Sequence, residues 1–276
     1  MASGDLITLL ETLKAAIVQL ETAQVSSPVY DAEWLLIFAL NATRAVLLEP
    51  NRVLNQSELE TYQSWVGRRV AREPLQWIIG STEFYGLELK VQAGVLIPRP
   101  ETERLVELTL ERLSESGRVV DVGCGSGAIA MALKNERPRL EVWATDINPN
   151  AIALTLENAK RLKQKIHTLE TSLLQSLTGK FSVIVSNPPY LPETDLLEPE
   201  VQQEPHQALF SGADGLNLAR ELVVQAPDYL TKNGFLLLEL DPRNAPVLQA
   251  EMQNNGWNAW LEADLTGRKR FIVAQK

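Results

Sequence analysis

The chain has a single cysteine, Cys124, so no intrachain disulfide is open to it. That suits a reducing compartment, and the cytoplasm is the expected location. Histidine is almost as scarce: His167 and His206 are the only two, and neither sits in a pattern that suggests a proton relay. No uninterrupted apolar run is long enough for a bilayer, and no membrane association is expected. The opening stretch, MASGDLITLLETLK, has an acid at Asp5 and lacks the basic flank and apolar block of a secretory signal. Excess positive charge is missing too. Lys and Arg number 26 against 35 Asp and Glu, a net charge of −9. This argues against broad, salt-driven binding to nucleic acid and leaves only a local basic groove open. Repeats and low-complexity tracts are absent.

What is present is a 45% hydrophobic chain of 276 residues, enough for one large domain or two unequal ones. Leu6, Leu10, Leu13, Ile17 and Leu20 recur at helical spacing. Pro28 precedes a second candidate helix with Ala32, Leu35, Leu36 and Ala39 on one side. Ser57 and Glu60 have the spacing of a capping box, opening a third helix that would turn Leu59, Tyr62, Val66 and Val70 inward. Residues 1–73 therefore read as a small helical domain, with Trp34, Trp65 and Trp77 as packing residues in or beside it. Residues 74–98 are rich in β-branched and aromatic residues broken by Gly80, Gly86 and Gly94, and read as a β-hairpin linker. From 99 to 276 helix and strand patterns alternate, which predicts an α/β domain with a parallel, doubly wound sheet and a closing antiparallel pair.

Two motifs carry chemistry. DVGCGSGAIA follows a strand and opens a helix; Gly123, Gly125 and Gly127, with Cys124 and Ser126 between them, allow a tight turn and close approach to a ligand. Asp146 ends the next strand, where a carboxylate can take both ribose hydroxyls of an adenosine. The pattern alone also fits a nicotinamide dinucleotide, or a tight turn holding nothing. Asp121, just before the loop, favours S-adenosylmethionine, whose ammonium and sulfonium suit a carboxylate that would repel a pyrophosphate. Cys124 has no basic neighbour to activate it and reads as a small loop residue.

The second motif is VSNPPY. Two prolines cannot continue an interior strand, so the chain turns rigidly just where a buried strand ends. Ligands of open α/β sheets bind beyond the carboxyl ends of strands, where strand order reverses. In the usual topology that places Asn187 beside the glycine loop. An amide nitrogen is a poor nucleophile until its lone pair is turned toward the electrophile, and two acceptors on its N–H groups can do that. Asn187 can supply its side-chain oxygen and Pro188 its backbone carbonyl, while Tyr190 can stack on a planar target. A sulfonium leaves readily, so orientation matters more than a strong base, and alignment is worth about 7–11 kcal/mol in such steps.

The chain resembles the protein-(glutamine-N5) methyltransferases that modify peptide chain release factors, over nearly its whole length. The resemblance rests on EPLQWIIGSTEFYGLELKVQAGVLIPRPETE, DVGCGSGAIA, VSNPPY, EPHQALFSGADGL and DLTGRKRFIVA, in that order. It implies a seven-stranded class I methyltransferase sheet behind an all-helical N-terminal domain; because every chemical motif follows Pro98, residues 1–73 are expected to dock the protein substrate. It implies S-adenosylmethionine on residues 123–127, Asp146 and Asn187, no metal, and a substrate pocket of Asn187, Pro188, Pro189 and Tyr190. The implied target is the glutamine of the release factors' Gly-Gly-Gln segment; oligomeric state is left open. Ser172, followed by Leu173, stands where the family often has an acid near the adenine, and LELDPRNA replaces its usual Glu-Ile-Gly continuation. A ribosomal-protein glutamine is the nearest rival substrate. An adenine-N6 nucleic-acid methyltransferase shares the Asn-Pro-Pro-Tyr motif, but residues 191–215 hold six carboxylates and no Lys or Arg, which argues against it. A dehydrogenase would lack its histidine, and a non-catalytic adapter would not need the whole motif set.

Overall fold

The computed structural model describes residues 7–276, so Leu6 of the first apolar stripe lies outside the described residues. The chain divides into two compact units. One comprises the residues up to Gly80 together with Glu198–Gln203, the other Ser81–Leu197 and Glu204–Lys276.

The first unit is helical: α1 (Leu9–Thr22), α2 (Pro28–Ala39), α3 (Gln56–Val70) and the short α4 (Leu75–Ile79). The buried face of α1 is Leu9, Thr12, Ala16 and Leu20. It runs one position off the expected stripe, leaving Leu10 at 38% exposure. Two overlapping stripes share Leu20 and the half-buried Leu13 and Ile17, so spacing alone did not separate them. The capping box of α3 is likewise Asn55 with Glu58, not Ser57 with Glu60. Asn55 Oδ1 accepts from Glu58 N at 3.0 Å, and Asn55 N donates to the Glu58 carboxylate at 2.9 Å. Asparagine caps as well as serine, and here it comes a turn's fraction earlier. On α3, Tyr62 and Val66 are buried, Leu59 and Val70 half-buried. Arg69 is buried as well, its Nε on Asp31 at 2.7 Å and its Nη2 on Glu200 at 2.7 Å, with Arg72 holding the other Glu200 oxygen at 2.6 Å.

Residues 74–98 resolve differently from one hairpin, and the second unit begins within them at Ser81. After α4 comes the pair β1 (Ser81–Phe84) and β2 (Leu87–Lys90), then an irregular run to Pro98. Next in chain order are α5 (Thr102–Leu110), β3 (Gly117–Val122), α6 (Ala128–Glu136), β4 (Leu140–Asp146), α7 (Pro149–Arg161), β5 (His167–Glu170) and β6 (Phe181–Ser186). There follow α8 (His206–Leu209), α9 (Asn217–Gln225), β7 (Leu230–Glu239), α10 (Ala245–Asn254), β8 (Asn258–Ala263) and β9 (Lys269–Gln275). Seven strands form one sheet in the order β5-β4-β3-β6-β7-β9-β8. The first five are parallel, and β9 and β8 close the edge antiparallel, as the alternation predicted. The sheet is seven-stranded and doubly wound, as expected.

Both sheet faces are covered. Val119, Val183 and Leu237 face a cluster with Leu105, Ile129 and Met131. Val120, Ile184 and Leu236 face one with Leu222, Leu248 and Met252. With apolar contacts on both sides, the strands read as near-continuous apolar runs. Strand order reverses between β3 and β6, whose last residues Val122 and Ser186 pair directly. The residues that follow, Gly123 and Asn187, therefore leave the sheet side by side.

Candidate active site

A cleft lies beyond these strand ends. Gly123, Cys124, Gly125, Ser126, Asp146, Asn187 and Pro189 line it, and so do Ser172 and Leu173. Gly127, Pro188 and Tyr190 are not among the lining residues. Pro188 is buried, and the half-buried Tyr190 packs against the core cluster of α9 and α10. Burial, reinforced by the nearby Glu239, pushes the Tyr190 phenol up to about 12.

The glycine loop is held in shape from behind. Gly127 has φ +80°, and a Cβ there would meet Thr155 Cγ2 at 2.9 Å and Met131 Cε at 3.1 Å. This glycine is required by the packing of α6 against α7. Thr155 Oγ1 donates to Gly125 O at 3.1 Å, and Asn158 Nδ2 donates to Ser126 O at 2.9 Å. Both residues are fully buried on α7 and were not singled out from the sequence. The available signal was a polar Thr and Asn three apart on the buried face of an amphipathic helix. Cys124 is buried, and burial together with Asp121 and Asp146 pushes its thiol well above the ordinary range.

Asp146 accepts from Gly125 N at 2.9 Å and from Asn148 N at 2.8 Å, one bond on each oxygen, so each oxygen retains acceptor capacity. Burial raises its pKa while these backbone N–H groups oppose the rise. Asp121 does not face the cleft as expected. It points at α6, where Oδ2 accepts from Ala130 N at 3.2 Å, and burial pushes its carboxyl up to about 7. It sits on the side of β3 that α6 covers, the same side as Val119, because alternate strand residues share a face.

Asn187 is half-buried, and its Nδ2 donates to Thr102 Oγ1 at 3.1 Å. The IPRPET run supplies that threonine and a brace. Ile97 N donates to Glu204 Oε2 at 3.1 Å, and Arg99 pairs with the other oxygen of the same buried carboxylate. Glu204 introduces Pro205, Gln207 and Ala208, which line the cleft. The segment LELDPRNA also has a visible role: Asn244 Nδ2 donates to Tyr190 O at 2.9 Å, and Arg243 pairs with Asp195.

These contacts overturn one inference from charge. The acidic loop after Tyr190 is not a free negative surface, because Asp195, Glu200, Glu204 and Asp214 are each held by arginine. Its composition reflects anchoring and does not discriminate against nucleic acid. The histidines stay away from the chemistry. His167 stacks on Trp143 at 4.8 Å between centroids, and His206 pairs with Glu193 at 3.2 Å on the exposed side. Among the described residues no helix is long and apolar enough to cross a membrane.

Comparison with known proteins agrees with this geometry. A family model described as "Methyltransferase small domain" matches residues 101–213, and one described as "PrmC N-terminal domain" matches residues 11–80. The chain is 46% identical over 272 residues to the release factor glutamine methyltransferase of Deinococcus radiodurans, spanning 96% of this chain and 98% of that one. It is 38% identical to the protein of the same name from Koribacter versatilis, over 98% of this chain and 99% of that one. Among solved structures, the T. thermophilus 16S rRNA N2 G1207 methyltransferase, in complex with AdoMet and guanosine, superposes with a TM-score of 0.52. At 20% identity, over 71% of this chain and 49% of that one, that likeness is one of fold.

Proposed function

Because the chain belongs to the release factor glutamine methyltransferase family, we propose that it methylates the side-chain amide nitrogen of the glutamine in the Gly-Gly-Gln segment of peptide chain release factors, with S-adenosylmethionine as donor. The observation that carries this reading is the adjacency of Asn187 to the glycine loop across the strand-order reversal, with both lining one cleft. The cleft fits the cofactor. Asp146 retains acceptor capacity for ribose hydroxyls, and Val95, Ile147 and Leu173 supply an apolar wall for an adenine. Leu173 then packs against the ring where an acidic contact is common in the family.

When bound, the cofactor supplies a methyl group on a good leaving group. The chain's part is to orient the amide. Asn187 Nδ2 is committed to Thr102, which leaves Oδ1 to accept one N–H of the substrate amide. The Pro188 carbonyl, on a backbone restricted by two prolines, takes the other. Pro189 borders the cleft beside them, while Tyr190 supports the turn from the core side. Residues 1–73 dock the protein substrate, since every chemical motif follows Pro98.

The test is mass spectrometry of purified release factor after incubation with this protein and S-adenosylmethionine. One methyl group on the Gly-Gly-Gln glutamine is expected, and Asn187→Ala should slow its formation by about 10²–10³-fold, as losing a positioned polar group does elsewhere. Methylation of a ribosomal protein or of adenine in nucleic acid, with none on the release factor, would replace this reading. Failure of the protein to bind labelled S-adenosylmethionine at all would point to an adapter.

A further inference from the structure

Glu239 ends β7, and the register places it beside Asn187, since Ser186 pairs with Leu238 one residue earlier. Its neighbours along the strand, Leu236, Leu237, Leu238 and Leu240, are all fully buried leucines. Glu239 is fully buried too, and neither carboxylate oxygen has a hydrogen-bond partner among the described residues. A buried carboxylate without partners is costly, and an apolar residue would suit this position better for stability alone. Thr102 is the link to the site. Its buried hydroxyl accepts from Asn187 Nδ2 at 3.1 Å and is close enough to Glu239 to favour the ionised carboxylate, though not in hydrogen-bonding geometry with it.

We propose that Glu239, acting through the Thr102 hydroxyl, fixes which end of the Asn187 carboxamide faces the cleft, and is a positioning residue for the transfer. The two ends of a carboxamide have nearly the same shape, so the surrounding hydrogen bonds decide its orientation. A threonine hydroxyl has one proton. An ionised carboxylate nearby attracts that proton by its charge even outside hydrogen-bonding geometry, so the hydroxyl turns its proton toward Glu239 and its oxygen is left to accept from Asn187 Nδ2. Oδ1 then points to the cleft as an acceptor. A neutral acid or amide at position 239 exerts no such pull. The hydroxyl is then free to donate to Asn187 Oδ1, and the amide turns its NH2 toward the substrate, where donor meets donor. The unfavourable buried charge is thereby given a task that leucine could not perform.

The groups facing Glu239 bear on its ionisation. Burial pushes its carboxyl up to about 7 and Glu101 adds to the rise, while Thr102, Arg270 on β9 and Arg99 oppose it. Tyr190 faces it from the loop after β6.

The inference rests on the reading of the chain as a release factor methyltransferase, and the test separates the two. Steady-state kinetics with release factor and S-adenosylmethionine would be compared for the wild type, Glu239→Gln, Thr102→Val and Thr102→Ser. Glu239→Gln should lower kcat roughly tenfold to a hundredfold, the scale of a misplaced reacting group, with KM and cofactor affinity little changed. Thr102→Val should match it, and Thr102→Ser, which keeps the hydroxyl, should recover most of the loss. Wild-type kcat should rise with pH through about 7 as Glu239 ionises, and Glu239→Gln should lack that limb. Wild-type turnover in Glu239→Gln with the limb intact, or in Thr102→Val, would overturn the inference alone. A wild-type enzyme that binds cofactor but transfers nothing to release factor would overturn the functional reading and this inference with it.

Discussion

In the helical unit Asp31 is buried and meets the Arg69 guanidinium at 2.7 Å; in the sheet unit Glu239 is buried and meets no hydrogen-bond partner among the described residues. Both carboxyls are raised by burial, but at Asp31 the Arg69 bond opposes the rise directly. The first arrangement holds helices together and adds Glu200 of the acidic loop through the same arginine. The second lies at a strand end beside Asn187. The first is a paired group that serves architecture; the second departs from the local rule, and the positioning role proposed for Glu239 gives that departure a task.

The largest expected effect breaks the paired side. Arg69→Ala leaves Asp31 buried without its cation and deprives Glu200 of one of its two arginines. Removing one partner of a buried pair usually destabilises by about 3–5 kcal/mol. Urea denaturation followed by tryptophan fluorescence would measure it. A loss no greater than that of an exposed ion pair would mean that Asp31 does not depend on Arg69, and the contrast between the two carboxylates would fail.

The unpaired side should respond in the opposite direction. Because the folded-state pKa of Glu239 is raised from 4.5 to about 7, folding favours its protonated form. The resulting stabilisation is fully present below the ordinary glutamate pKa and is lost as pH rises through about 7. At pH above this window the ionised, unpaired group weighs against folding. Glu239→Gln should then be more stable than the wild type by roughly 1–3 kcal/mol, even as it turns over more slowly. Near pH 4 the difference should vanish. A variant less stable than wild type at high pH would show that Glu239 has a structural partner after all.

How much of this contrast could be read from the residues themselves varied with the length of the signal. The alternation after residue 99 gave the parallel sheet, and the two motifs gave both strand ends at the reversal, because each is a local pattern with a fixed topological consequence. Asn187 beside the glycine loop followed from these together with the strand order usual for such sheets. Pairings across long separations were not legible: nothing local in IPRPET says that Ile97 and Arg99 bind Glu204, or that Thr102 meets Asn187. Asp121 beside the loop argued for S-adenosylmethionine, yet strand alternation turns its side chain toward α6. Glu239 was visible only as the polar residue in a leucine run. The acidic loop misled for a related reason, since composition counts charges without showing the arginines that hold them.

Asp146 tests a milder version of the comparison. Like Glu239 it is raised by burial, but backbone N–H groups satisfy it on both oxygens. Asp146→Ala should weaken S-adenosylmethionine binding by about 1.5–3 kcal/mol, the scale of a hydrogen bond to a charged group. Calorimetry would measure it, and an unchanged affinity would remove Asp146 from the cofactor site. Some of the measured loss will come from the glycine loop, since Gly125 N also loses its acceptor. Asp146→Asn separates the two contributions, because an amide oxygen can keep the Gly125 bond while the charge is gone.

The smallest effect is expected at Arg243, which has the geometry of a strong pair and the surroundings of a weak one. Its guanidinium bridges Asp241 at 2.8 Å and Asp195 in the loop after Tyr190, but its side chain is 61% exposed. Water and salt screen such contacts, and exposed pairs contribute about 0–1 kcal/mol. The same loop is also held by buried groups: Asn244 Nδ2 on Tyr190 O at 2.9 Å, and Glu204 on Ile97 N at 3.1 Å. If burial decides which anchors matter, Arg243→Ala should shift the denaturation midpoint slightly, less so in high salt, and leave kcat near the wild-type value. Asn244→Ala, which leaves the Tyr190 carbonyl without that donor, should slow turnover measurably. The reverse ranking, with Arg243→Ala the slower enzyme, would show that the loop carrying Pro188 to Tyr190 is set by its exposed edge and that burial is the wrong axis on which to sort these anchors.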